Sequence, residues 1–133
     1  MSHILNGLNE QQRLAASHID GPLLVLAGAG SGKTKTLTHR IAYMLEQGIK
    51  PWNILALTFT NKAAEEMRHR IELLVGPPAH DLWMSTFHSA CVRVLRRDIE
   101  VLGYPKTFNI YDTSDQVRLI RAILNEKNID LKK

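Results

Sequence analysis

Cysteine is nearly missing: the chain of 133 residues has one, Cys91. A single thiol excludes an internal disulfide framework and a multi-cysteine zinc site. The simplest setting for such a chain is reducing and intracellular, and a cytoplasmic location is expected. Long hydrophobic runs are missing too. The apolar run from Pro22 to Ala27 is far shorter than the roughly 18 residues a membrane-spanning helix needs, so no membrane partner is expected. The N-terminus has no basic stretch leading into an apolar one, so no secretory signal is expected. Low-complexity tracts, blocks of like charge and internal repeats are also absent.

What remains is ordinary globular composition. Hydrophobic residues make up 44% and charged residues 23%, which argues against a disordered chain. The length suggests one domain, able to bury about two-thirds of the surface its unfolded form exposes. It is too short for the two-domain engines that pump or unwind. Lys plus Arg is 17 against 13 for Asp plus Glu, a formal charge of +4. That is mildly attractive to polyanions but weak grounds by itself for nucleic acid.

Apolar runs alternate with helical patterns. Leu23 to Ala27 reads as a first strand, followed by a glycine-rich turn and a helix from Lys33 to Glu46, stopped by Gly48. Ile54 to Phe59 reads as a second strand. After it, Lys62 to Val75 places Ala63, Ala64, Met67, Ile71 and Leu74 on one helical face. Leu82 to Phe87 reads as a third strand and Ala90 to Leu102 as a helix. Asn9 to His18 predicts a short helix capped by Asn9. Ser114 to Glu126 predicts another, with Thr113 and Gln116 as a capping box. Continuously apolar strands separated by helices predict an α/β fold with a buried parallel sheet. A sub-domain boundary is expected near Gly103.

The strongest chemical signal is Ala27-Gly28-Ala29-Gly30-Ser31-Gly32-Lys33-Thr34, placed between a strand and a helix as a phosphate-binding loop requires. Glycines let successive N–H groups turn inward around an anion, and the following helix adds its positive end. Lys33 brings a full charge to the β- and γ-phosphates, and the Thr34 hydroxyl can hold Mg²⁺. Ala27 stands where the usual pattern opens on glycine. The residues predict binding of ATP or another nucleoside triphosphate with magnesium.

Other positions are ambiguous from chemistry alone. Gln12 fits a capping box with Asn9. Phe59 is either the buried end of a strand or a stacking platform, with Thr60 or Asn61 as helix cap. His88 has no ligand partner spaced for a metal. Cys91 sits on an apolar helical face and reads as core. The arginines at 68, 70, 93, 96 and 97 read as solvated faces. Asp112 is explained by a helix start and is rejected as a magnesium carboxylate.

The phosphate loop, Leu8-Asn9-Glu10-Gln11-Gln12 before it, Thr58-Phe59-Thr60-Asn61-Lys62-Ala63-Ala64 after it and Ser85-Thr86-Phe87-His88-Ser89 further on occur in this order. Together they resemble the N-terminal end of superfamily 1 DNA helicases of the UvrD/Rep/PcrA type, over nearly the whole chain. The resemblance implies a RecA-like P-loop NTPase sheet flanked by helices, incomplete here, with a short helical C-terminal extension. It implies ATP and Mg²⁺ at Gly28, Ala29, Gly30, Ser31, Gly32, Lys33 and Thr34, with Gln12 on the adenine edge. Lys35 departs from the arginine common there, and its stacking on adenine should be poorer. Thr58, Phe59, Asn61, Thr86 and His88 are implied as contacts to single-stranded DNA.

By the same likeness the parent is an ATP-dependent helicase of 3′–5′ polarity in repair or replication, acting at duplex junctions. Residues 1–103 would be the N-terminal part of the first motor domain and 104–133 the opening of an accessory subdomain. The catalytic Asp-Glu pair and second motor domain are expected beyond Lys133. The chain alone is expected to hydrolyse little ATP, and its open sheet edge to favour self-association or marginal stability. The rivals are a small nucleotide or metabolite kinase and a non-catalytic nucleotide- or DNA-binding module.

Overall fold

The computed structural model describes residues 3–129, and the chain divides into two compact units, Met1–Val92 and Arg93–Lys133. In the first, α1 (Glu10–Ser17) is followed by an irregular stretch, the glycine-rich loop and α2 (Lys33–Glu46). Strand β1 (Leu55–Thr58), α3 (Asn61–Val75) and β2 (Trp83–Thr86) come next, and α4 (Phe87–Asp98) begins directly on the end of β2. The strands run parallel with Leu55 opposite Trp83 and Thr58 opposite Thr86. The architecture is α/β: a two-stranded parallel sheet flanked by helices.

Local chemistry explains most of these bounds. Asn9 caps α1: its Oδ1 accepts from the Gln12 N–H at 2.9 Å, and Gln12 Oε1 accepts from the Asn9 N–H at 3.2 Å. This reciprocal pair satisfies N–H groups that a helix start leaves free. Thr60 caps α3, its hydroxyl accepting from the Ala63 N–H at 3.1 Å. Ala64, Met67 and Ile71 recur at helical spacing and are buried. They join Ile41 of α2 and Ile54, Ala56, Leu82 and Met84 of the strand segments in one core, which also holds Ala79.

Two arginines are tied to backbone, one of them, Arg68, expected on a solvated face. Arg40 donates to the Ala15 carbonyl at 2.8 Å and to the His18 carbonyl, closing the C-terminal end of α1 onto α2. Arg68 spreads its guanidinium over the carbonyls of Ala79, His80, Leu82 and Met84 at 3.1–3.4 Å. A lysine cannot make that planar fork.

Two expectations are corrected. Leu23 to Ala27 forms no strand. A strand exists through hydrogen bonds to a neighbour, and β1 and β2 pair with each other, leaving this segment irregular with Leu24 82% and Leu26 88% exposed. Cys91 is exposed rather than core, because only Ala90 on α4 is buried.

In the second unit, Ile99–Leu102 forms a short 3-10 turn that ends at Gly103. Arg96 lies 4.1 Å over the Phe108 ring and donates to the Lys106 carbonyl, while Lys106 pairs with Glu100 at 2.9 Å. Helix α5 (Thr113–Glu126) is capped by Asp112, one residue before the expected Thr113. Asp112 Oδ1 accepts from the Asp115 N–H at 2.8 Å and the Ser114 hydroxyl at 2.7 Å, and Asp115 returns a bond to the Asp112 N–H.

The Ser114 hydroxyl, followed by the Asp115 N–H, holds the Asp112 carboxyl below its ordinary value of 3.8. A depressed acid stabilises the helix above its unfolded pKa, and that contribution is lost as pH falls through the folded one. Acid titration followed by far-ultraviolet circular dichroism should therefore show helix loss beginning below about pH 3.8. Asp112→Asn keeps a capping side chain without a titrating group, so it should shrink that acid step; an unchanged step would assign it elsewhere.

Candidate nucleotide and nucleic-acid sites

The glycine-rich loop is built on left-handed turns. Gly30 and Gly32 have φ of +73° and +85°, and Gly32 stands at the N-cap of α2. A β-carbon on Gly32 would lie 2.7 Å from Gln12 Nε2, so a side chain here is strained by its φ and would also push the Gln12 amide aside. The Gly28 carbonyl is the hub. It accepts from the Ser31 N–H at 3.3 Å, the Ser31 hydroxyl at 2.7 Å and Lys33 Nζ at 2.7 Å. Lys33 Nζ also donates to the Ala27 carbonyl at 3.1 Å. The ammonium therefore bridges the start of the loop. Thr34 follows it, exposed on the first turn of α2, and Ala29 is exposed on the loop.

Gln12 serves the α1 cap and the loop together. While Oε1 holds the cap, Nε2 donates to the Ser31 carbonyl at 3.0 Å. A cavity of about 280 Å³ opens between them, lined by Asn9, Gln12, Gly28, Ser31 and Lys33 among others. Lys35 is not part of this lining; its Nζ donates to the Gly7 carbonyl at 2.6 Å. Larger openings, of about 450 Å³ beside Glu46 and Pro51 and about 540 Å³ beside Asp115 and Arg118, contain no glycine-rich loop.

A second surface lies at the C-terminal ends of the strands. Pairing of Thr58 with Thr86 brings two Thr-Phe steps to the same end of the sheet. Both threonines are buried and bond locally. Thr58 donates to the Thr60 carbonyl at 3.0 Å, and Thr86 donates to the Ser89 hydroxyl at 3.0 Å while accepting from the Ser89 N–H. The phenylalanines face outward, Phe59 87% and Phe87 55% exposed. Asn61, at the first position of α3, and His88 are also exposed. Phe87 escapes a reading of the sequence, which treats it as the end of a strand; its signal was the Thr-Phe step repeated after each apolar run.

The family description "UvrD/REP helicase N-terminal domain" matches residues 8–133. The chain belongs to this family. Among curated UvrD/REP relatives, the chain is 58% identical to the ATP-dependent DNA helicase PcrA of Bacillus subtilis over 133 residues, 99% of this chain and 18% of that protein. It is 54% identical to the protein of the same name from Staphylococcus aureus strain Mu50 over 134 residues, 100% of this chain and 18% of the relative. The Staphylococcus epidermidis counterpart is 53% identical with the same coverage. The chain thus spans 18% of the length of these relatives. The UvrD/REP match contains both sites: the loop with Gln12, and the paired strand ends. Among the described residues no helix is long and apolar enough to cross a membrane, and no group of three His, Cys, Asp or Glu could hold a metal.

Proposed function

We propose that this chain is the ATP-binding part of an ATP-dependent DNA helicase of RecA-like P-loop fold, moving 3′–5′ along single-stranded DNA in repair or replication, in the cytoplasm. The observation that carries this is the Gly28–Lys33 loop, with its lysine on the loop carbonyls, in a chain of the UvrD/REP family. The loop N–H groups from Gly28 to Gly32 cradle the phosphates, and Lys33 leaves its carbonyls for the β- and γ-oxygens. Gln12 reads the adenine edge, where an amide can both donate and accept.

The donor set suits magnesium only in part. Thr34 offers one exposed hydroxyl, and Mg²⁺ keeps waters and substrate phosphates as its other oxygens. Bound there, the ion neutralises charge on the phosphates. The carboxylates that complete the chemistry belong to the remainder of a helicase chain, so the 133 residues alone hydrolyse little ATP. We assign residues 1–103 to the first motor domain and 104–133 to an accessory subdomain. The exposed stretch at Leu24 and Leu26 is apolar surface that this remainder, or a second copy, would cover. At the strand ends exposed Phe59, Asn61 and His88 meet single-stranded DNA near a duplex junction, while Thr58 and Thr86, expected as contacts, are buried and hold the strand ends.

Titration of Mg-ATP and Mg-GTP into the purified chain tests the nucleotide assignment. Gln12→Ala should weaken ATP more than GTP, because only the adenine contact distinguishes the two. The same variant keeps the Asn9 cap, whose donor is the Gln12 backbone N–H, and loses the reciprocal bond to the Asn9 N–H and the bond to Ser31, each contributing about 0.5–1.5 kcal/mol, which a parallel urea melt measures separately. An equal loss for both nucleotides would leave Gln12 only its capping role.

A further inference from the structure

Lys35 lies on the first turn of α2, close behind the loop lysine, yet its ammonium is directed to the N-terminal segment. It donates to the Gly7 carbonyl at 2.6 Å. Gly7 has φ of +75°, a left-handed turn that glycine adopts without strain. Leu8 follows, buried, and then Asn9 and Gln12 of the α1 cap. On the other side of Gly7, Ile4 is buried. The segment before α1 is thus anchored by apolar burial and by Lys35. Gln12 then reaches the Ser31 carbonyl across the cavity that Asn9, Gln12, Ser31 and Lys33 line.

We propose that Lys35 is a positioning residue: by holding Gly7 it fixes the Asn9–Gln12 segment against the glycine-rich loop, and so governs discrimination between nucleoside bases without contacting phosphate. The proposal rests on the nucleotide reading above. A hydrogen bond from an ammonium is shorter and about twice as strong as a neutral one, and this one joins α2 to a turn far from it in sequence. Its ammonium is directed at Gly7 and not at the loop, where Lys33 serves the phosphates. Selective hydrogen bonding requires the reading amide to be held within roughly 0.5 Å of its working position. Without the brace, the Gly7 turn and the cap behind it shift more freely. Base selectivity falls while the cradle of loop N–H groups persists.

The test uses the 133-residue chain as wild type, Lys35→Met and Lys35→Arg. Each is titrated with Mg-ATP, Mg-GTP and Mg-tripolyphosphate, and amide exchange at residues 8–12 is followed without nucleotide. Lys35→Met should lower the ATP-to-GTP affinity ratio by about tenfold, leave tripolyphosphate affinity within about twofold, and speed exchange at residues 8–12. Lys35→Arg, which keeps a charged donor able to reach Gly7, should restore both selectivity and protection. An equal loss for all three ligands would make Lys35 a phosphate contact and overturn the proposal. Unchanged selectivity or unchanged exchange in Lys35→Met would overturn it too, as would failure of arginine to restore protection. A wild-type chain that binds neither nucleotide nor tripolyphosphate overturns the nucleotide reading and the selectivity claim with it, a result distinct from the others.

Discussion

Lys33→Ala should reduce Mg-ATP affinity at least a hundredfold, to the point where isothermal titration of the chain detects no binding. The lysine bridges the Ala27 and Gly28 carbonyls at 3.1 and 2.7 Å, so its ammonium already lies at the mouth of the loop. Moving it to a triphosphate exchanges neutral carbonyl acceptors for fully charged oxygens. Hydrogen bonds to charged groups contribute roughly 1.5–3 kcal/mol each, and every 1.4 kcal/mol is tenfold in affinity. Two such bonds account for about a hundredfold or more. The fold should survive the change. Lys33 is exposed, and Gly28 keeps the Ser31 hydroxyl and N–H as donors. A urea midpoint near that of the wild type, together with lost binding, would isolate the effect to the ligand. Undiminished Mg-ATP affinity in Lys33→Ala would remove the phosphate assignment altogether.

Phe59→Ala should weaken binding of a fluorescent oligo-dT strand by about 5- to 150-fold, the equivalent of roughly 1–3 kcal/mol for one stacked base. The ring is 87% exposed, so deleting it removes almost no packing and the stability of the chain should hardly change. That separation of binding from stability distinguishes a platform from the end of a core strand. Phe59→Trp should retain affinity, since any π-face supports stacking. Phe87, at the same end of the sheet and 55% exposed, offers a second platform, and Phe87→Ala should compound the loss. Equal oligo-dT affinity in wild type and Phe59→Ala would place the DNA contact elsewhere.

The two sites were legible in the sequence to different degrees. The loop was readable because its chemistry is local: glycines, lysine and threonine occupy fixed places between an apolar run and a helix. The Asn9–Gln12 cap was readable for the same reason, as its partners lie three residues apart. Gln12 nevertheless has a second bond, to Ser31, that no local spacing announces. At the strand ends, the residues alone favoured a buried Phe59, and only the family resemblance favoured a DNA contact. Only the register of β1 against β2, with both threonine hydroxyls turned onto local partners, exposes the two rings.

By itself the sequence determined that the helices exist and where most of them stop; α4, expected over Ala90–Leu102, runs from Phe87 to Asp98. Lys33–Glu46 matches its expected bounds, and α3 begins one residue before its own, because side-chain period and capping groups act within one or two turns. Membership of the UvrD/REP family follows from the same linear record. Tertiary structure alone decided the rest. Leu23 to Ala27 has strand composition but no neighbour to pair with, and a strand is a relation between two segments. The apolar face assigned to Cys91 is left open. Arg68 spans four carbonyls and Lys35 reaches back to Gly7. Such contacts depend on how far apart folded elements lie, a distance that composition and periodicity do not contain.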